Sequence, residues 1–174
     1  MRKLELISIL GVLTSHAVDY VVVGGVSAVL QGAPVSTFDL DVVYSTEADN
    51  IQRLLAALAE LDALYRLQPE RALRPDSSHL AAAGHQLLIT RFGPLDVLGS
   101  IGHGRRYDDL LPHTREIEVR AGLRIRILDL ETLIATKEET GQEKDLAALP
   151  ILRSTLAQLR LTKEKPGHKG PGSE

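Results

Sequence analysis

Two aspartates two residues apart, Asp39 and Asp41, sit at the start of an apolar run formed by Leu40, Val42, Val43 and Tyr44. On a strand, both carboxylates would point to the same face. Paired this way they repel and raise each other's pKa unless a cation lies between them. The pair is therefore poorly suited to stabilising a fold and well suited to holding a hard cation. Magnesium takes oxygen ligands and is commonly bound by one or two carboxylates together with substrate phosphates. The plain alternative is a pair of surface acids on an exposed edge strand. Upstream, Gly24 and Gly25 interrupt another β-branched run. A glycine pair lets the chain turn sharply and leaves bare N–H groups at the start of a following helix, where phosphate can bind.

The elements that position these residues can be read outward from them. Residues 20–23 suit a buried strand. A short helix over 26–31 ends at Gly32, with Pro34 just beyond. A second strand over 38–44 carries the two acids. Residues 2–16 form an amphipathic helical pattern through Leu4, Ile7, Leu10 and Leu13. Thr46 and Asp49 have the spacing of a capping-box variant. The helix they open bears a stripe of Ile51, Leu54, Leu55, Leu58 and Leu61, which should pack on the sheet face opposite Asp39 and Asp41. Residues 65–84 are rich in arginine, proline and serine. They read as a solvated loop or as a flap carrying a substrate-contacting arginine, with Arg66, Arg71 and Arg74 the candidates.

Strands over 86–91 and 95–98 follow, with a turn over 92–94. Asp96 lies between Leu95 and Val97, an acid inside an apolar run. Its ordinary reading is an outward-facing residue on a half-exposed strand. A glycine-rich loop over 99–106 ends in Arg105 and Arg106, which are suited to phosphate. Residues 116–128 read as a hairpin. A three-residue turn over 120–122 would pair Val119 with Leu123, Ile117 with Ile125, Glu118 with Arg124 and Glu116 with Arg126. Asp129 caps a helix striped with Leu130, Leu133, Ile134 and Lys137. That lysine either snorkels to solvent or reaches toward a phosphate. Leu146, Leu149, Leu152, Leu156 and Leu159 mark a C-terminal helical stripe, in which Pro150 kinks the helix or starts a second one. The expected organisation is one domain over residues 1–162, its C-terminal helices at about 129–160, and a disordered tail over 163–174.

The glycine turn followed by Asp39-x-Asp41 resembles the nucleotidyltransferase superfamily of the polymerase-β type. Gly32-x-Pro34-x-x-Thr37-x-Asp39-x-Asp41 resembles, more narrowly, the minimal nucleotidyltransferases and AbiEii-type toxins of toxin–antitoxin systems. Many of those carry an arginine where Val35 stands here. The likeness spans roughly residues 17–160, with the specific motif confined to 24–41. It implies an α/β (α+β) nucleotidyltransferase fold: a small mixed sheet, helices mainly on one face, and a C-terminal helical segment. It also implies a magnesium-dependent transfer of a nucleoside monophosphate from an NTP to an acceptor hydroxyl. In that scheme Asp39, Asp41 and Asp96 hold two magnesium ions, and Asp96 also accepts the hydroxyl proton. Gly24, Gly25 and Ser27 would bind the outer phosphates. Lys137 would contact the leaving group, with Lys144 and Asp145 at the rim. The acceptor could be a tRNA end, a protein hydroxyl or a small molecule. An antitoxin or a second copy of the chain is a candidate partner. The alternative is a non-catalytic nucleotide-binding or toxin–antitoxin protein that keeps the fold, and a magnesium-dependent phosphohydrolase is a third class.

Composition narrows the field. A chain of 174 residues with 44% hydrophobic residues fits one core. Only 3% are aromatic, so stacking of bases on aromatic rings is not anticipated. A net charge of −3 argues against a broad nucleic-acid surface, though not against a local basic cleft. The absence of cysteine excludes disulfides, thiolate zinc sites and thiol nucleophiles. The histidines lack metal-ligand spacing. With no apolar run of transmembrane length, the protein is expected to be soluble and cytoplasmic.

Overall fold

The computed structural model describes residues 3–164. Seven strands form one mixed sheet in the order β3-β4-β5-β2-β1-β7-β6. The strands are β1 (Tyr20–Val23), β2 (Leu40–Tyr44), β3 (Leu64–Tyr65), β4 (His85–Thr90), β5 (Gly93–Leu98), β6 (Thr114–Arg120) and β7 (Leu123–Leu128). The helices are α1 (Leu6–Ser15), α2 (Gly24–Leu30), α3 (Ala48–Glu60), α4 (Ser77–Ala81), α5 (Tyr107–Leu110), α6 (Leu130–Thr140) and α7 (Glu143–Glu164). β2 runs parallel to β5, and β1 parallel to β7; the other pairings are antiparallel.

The central strands are apolar on both faces, so each face needs a cover. Tyr20, Val22, Leu40, Val42, Tyr44, Leu95 and Val97 face one way, into a core shared with Ile9, Leu10 and Leu13 of α1 and Ile51, Leu54 and Leu58 of α3. Val21, Val23, Val43 and Leu128 face the other, against Leu133 and Ile134 of α6 and Leu149 and Leu152 of α7. The N-terminal helices α1 and α3 thus share one face, and the C-terminal helical segment takes the opposite one along with α2. The α3 stripe packs on the face away from Asp41, where its periodicity placed it.

Several local expectations change. β2 begins at Leu40, leaving Asp39 just before the strand and Phe38 exposed. The anticipated capping box before α3 does not form: Glu47 is the N-cap with no side-chain cap bond, and the Thr46 hydroxyl accepts from Arg106. β4 and β5 pair out to Thr90 opposite Gly93, so the turn is Arg91-Phe92, one step earlier than Gly and Pro suggested. In the β6–β7 hairpin, Ile117 does face Ile125, Glu118 faces Arg124, and Glu116 faces Arg126. Val119, however, is skipped and Arg120 pairs Leu123. A bulge thus combines the anticipated register with a two-residue turn, Ala121-Gly122. Pro150 lies inside a continuous α7, which extends through Glu164. The remainder of the anticipated tail, 165–174, lies outside the described residues. Among the described residues no helix is long and apolar enough to cross a membrane.

Candidate active site

The register of three neighbouring strands brings the acids together. Val23, the last residue of β1, pairs with Asp41 of β2, and Asp41 pairs in turn with Asp96 of β5. Strand alternation puts both carboxylates on the face shared with Val43 and Leu98, away from the α1–α3 core. Asp39 joins from just ahead of β2. One carboxylate oxygen from each of Asp39, Asp41 and Asp96 lies within 4.8 Å of the other two. A cleft of about 490 Å³ opens over them, in the size range of small-molecule sites. Gly24, Arg66, His85, Ser100, Gly102, Lys137, Lys144 and Asp145 also line it.

The electrostatics of the trio favour a bound cation. Burial pushes the Asp41 carboxyl up to about 7, and the negative charges of Asp39 and Asp96 add to the shift against Lys137 and Lys144. Burial also raises Asp96, opposed by hydrogen bonds and charge from Arg66. A hard divalent cation fits this donor set, which is all oxygen, crowded and acidic.

The glycine pair serves the acids directly. A Cβ on Gly24, whose φ is +63°, would lie 2.1 Å from Oδ2 of Asp41. Only glycine leaves room there for the carboxylate, and only glycine adopts that φ without strain. At Gly25 a Cβ would meet the Thr37 side chain at 2.9 Å. Thr37 in turn donates from its hydroxyl to the Asp39 carbonyl at 3.0 Å. Gly25 thus supports the turn that presents Asp39; Gly24 reaches the cleft wall and Gly25 does not.

Ser27 is not brought to the cleft. Its side chain is fully buried, and its hydroxyl donates to the Leu128 carbonyl at 2.7 Å. Gln31 Nε2 donates to the same carbonyl at 2.9 Å. One helical turn into α2, Ser27 faces β7 and not the strand ends, so it ties helix to sheet. Ser27→Ala is expected to lower stability by about 1 kcal/mol, the usual worth of one such bond with a second donor still in place, while nucleotide affinity is unchanged. Denaturant melts and nucleotide titration of the same variant check both halves.

Lys137 does reach the cleft, but it arrives paired. Its Nζ lies 2.7 Å from Oδ1 of Asp145, and both side chains are mostly buried. Lys137 therefore has a structural role that its position on an apolar stripe did not reveal. Lys137→Met leaves Asp145 without its partner, and a cost of about 1–2 kcal/mol is expected in place of a neutral surface change. Asp145→Asn combined with Lys137→Met should recover part of that loss in thermal melts. Arg105 is engaged as well, by Glu139 of α6, and Arg106 by Thr46. The 99–106 loop is thereby clipped to its surroundings instead of presenting free arginines.

Arg66 is the arginine that the 65–84 stretch delivers. Its guanidinium engages Asp96 through Nη1 and Oδ1, and through Nη2 and Oδ2 at 3.1 Å. Three arginines in a loop-like stretch were equally eligible from sequence. What selects Arg66 is its place directly after β3, where its backbone N–H bonds the Leu87 carbonyl of β4.

Comparison with known proteins gives no matching family model and no matching curated protein. Among solved structures, the chain matches one described as a "putative nucleotidyltransferase" from Thermotoga maritima, with a TM-score of 0.55 and 19% identity over 94% of this chain and 98% of that one. The chain shares that protein's fold over nearly its whole length. The likeness shows a shared fold, and in this chain that fold gathers an acidic trio that could hold a metal ion.

Proposed function

We propose that this protein is a magnesium-dependent nucleotidyltransferase that moves a nucleoside monophosphate from an NTP onto an acceptor hydroxyl. The observation that carries the reading is the convergence of Asp39, Asp41 and Asp96 in one cleft walled by the Gly24 turn. Asp39, Asp41 and Asp96 would hold the metal. Magnesium, when bound, supplies Lewis-acid stabilisation of the entering and leaving oxygens of the displaced phosphate. The side-chain-free wall at Gly24 leaves space for the phosphate chain beside the acids. Lys137 and Lys144, which also line the cleft, offset its negative charge. The acceptor oxygen attacks the α-phosphorus, the bond to the bridging oxygen breaks, and pyrophosphate departs. Asp96, with its carboxyl raised by burial, takes the hydroxyl proton.

The likeness of the 32–41 motif to minimal nucleotidyltransferases supports the finer reading of a toxin–antitoxin component acting on a macromolecular or small acceptor. The test uses NTPs labelled at the α or γ position, magnesium and cell extract. Transfer predicts α-label on an acceptor with release of pyrophosphate. Release of inorganic phosphate from γ-labelled NTP without transfer would instead identify a phosphohydrolase. Metal-dependent nucleotide binding that needs Asp39 and Asp41 but yields neither product would identify a non-catalytic binding protein.

A further inference from the structure

Arg66 stands in an unusual relation to the acidic trio. Its main chain is fixed, because its N–H donates to the Leu87 carbonyl at 3.0 Å on the edge of the sheet. Its side chain extends into the cleft and remains 27% exposed, whereas the Asp96 side chain it grips is 10% exposed. The guanidinium meets both Asp96 oxygens, and Nη2 lies 4.0 Å from Oδ2 of Asp39. Lys137, the other cation lining the cleft with a defined ion pair, is committed to Asp145. Among the ion pairs of the described residues, those reaching the trio are both made by Arg66.

A bidentate guanidinium takes one lone pair on each Asp96 oxygen and draws electron density from both, so a metal must compete with it for the carboxylate. It also sets a positive charge beside the site, where a second cation is repelled. A cation held by Asp39 and Asp41 is compatible with this fork. One that draws on Asp96 must compete with the fork, as must proton transfer to Asp96. The natural competitor for a guanidinium fork is phosphate, two of whose oxygens can accept the same pair of N–H groups. With its backbone anchored, Arg66 can exchange partners by side-chain rotation alone.

We propose that Arg66 is a latch that withholds Asp96 from a divalent cation until a phosphate of the incoming nucleotide takes over its guanidinium. The inference rests on the reading of this cleft as a metal and nucleotide site. It makes the binding of metal and of nucleotide mutually reinforcing, and completes the trio only when a donor is present. Arg66 is on this view a positioning residue in the free protein and a phosphate contact in the loaded one.

The test is nucleotide-free titration of the full chain with Mn²⁺, followed by calorimetry or by the paramagnetic signal of the free ion. Wild type, Arg66→Gln and Arg66→Lys are compared, and thermal melts confirm that each is folded. Arg66→Gln is expected to bind Mn²⁺ on the order of tenfold more tightly than wild type, because a charge-assisted bidentate pair no longer competes. Arg66→Lys keeps the charge but loses the fork, and should be at least about threefold tighter than wild type. It also carries the comparison should Arg66→Gln fail to fold. Equal Mn²⁺ affinity in wild type and Arg66→Gln overturns the latch while leaving the metal site standing. Arg66→Lys matching wild type assigns the effect to charge alone and overturns it as well. Absence of Mn²⁺ binding by all three proteins removes the metal reading itself, and the latch with it.

Discussion

On the proposed function, Asp41→Asn is expected to cut transfer sharply while making the metal-free protein more stable at alkaline pH. The catalytic loss should reach about a hundredfold or more, the usual scale for removing one charged group that stabilises a transition state. The stability gain follows from the Asp41 carboxyl, which burial, Asp39 and Asp96 push from 3.8 to about 7. A carboxyl raised on folding is favoured in its protonated form. Its contribution is therefore full below the unfolded pKa, declines as pH rises from about 4 to about 7, and stays lost above that. The rise from 3.8 to about 7 sets a ceiling of about 4 kcal/mol, which exposure to the cleft reduces to about 1–3 kcal/mol. Asparagine carries no charge to penalise. Melts without metal should thus show variant and wild type converging near pH 4 and the variant ahead at pH 8. Magnesium should reverse the order at pH 8 by stabilising wild type alone. A variant less stable than wild type at pH 8 without metal would make Asp41 a structural residue.

Gly24→Ala should be damaging in both respects. The new methyl would project 2.1 Å from Oδ2 of Asp41, at a backbone φ of +63°. The left-handed conformation alone costs a residue with a Cβ about 1–2 kcal/mol, and relief of the clash requires Asp41 to rotate away from Asp39 and Asp96. A stability loss of about 2–3 kcal/mol is expected, together with a fall in transfer on the order of a hundredfold from misplacing one ligand. Gly25→Ala is the control. Its Cβ would meet Cβ and Oγ1 of Thr37 at 2.9 Å, with no Asp41 atom among its nearest neighbours and no left-handed φ to strain, so both losses should be smaller. Kinetics and denaturant unfolding on the pair separate the two positions. Equal effects would mean that the turn tolerates a side chain at Gly24 as well as at Gly25, and that Asp41 is not held by this contact.

The acid pair and its glycine turn were legible because both obey short-range rules. Asp39 lies just ahead of β2 and two residues from Asp41, so closeness along the chain keeps the two acids together, and a glycine pair between a β-branched run and a helix marks a sharp turn. Asp129 as the cap of α6 was legible for the same reason: its side chain accepts from the Thr132 N–H three residues on, at 2.7 Å. Asp96 was visible as an acid in an apolar run, but its place beside Asp41 depends on β2 and β5 running parallel in register, which sequence separation conceals.

Tertiary structure alone decided the roles of Ser27, Lys137 and Arg66. Ser27 lies in a helix start that sequence reads as a phosphate site, yet its hydroxyl serves a carbonyl 101 residues away. Lys137 was placed correctly along its stripe, while its partner Asp145 belongs to the next helix, beyond the reach of periodicity. Arg66 was one of three arginines until the edge pairing of β3 with β4 aimed it at Asp96. Backbone preferences are local, so turns, caps and faces can be read along the chain. The partner of a long charged side chain is chosen by packing between distant elements, and here that choice determines which residues surround the acids.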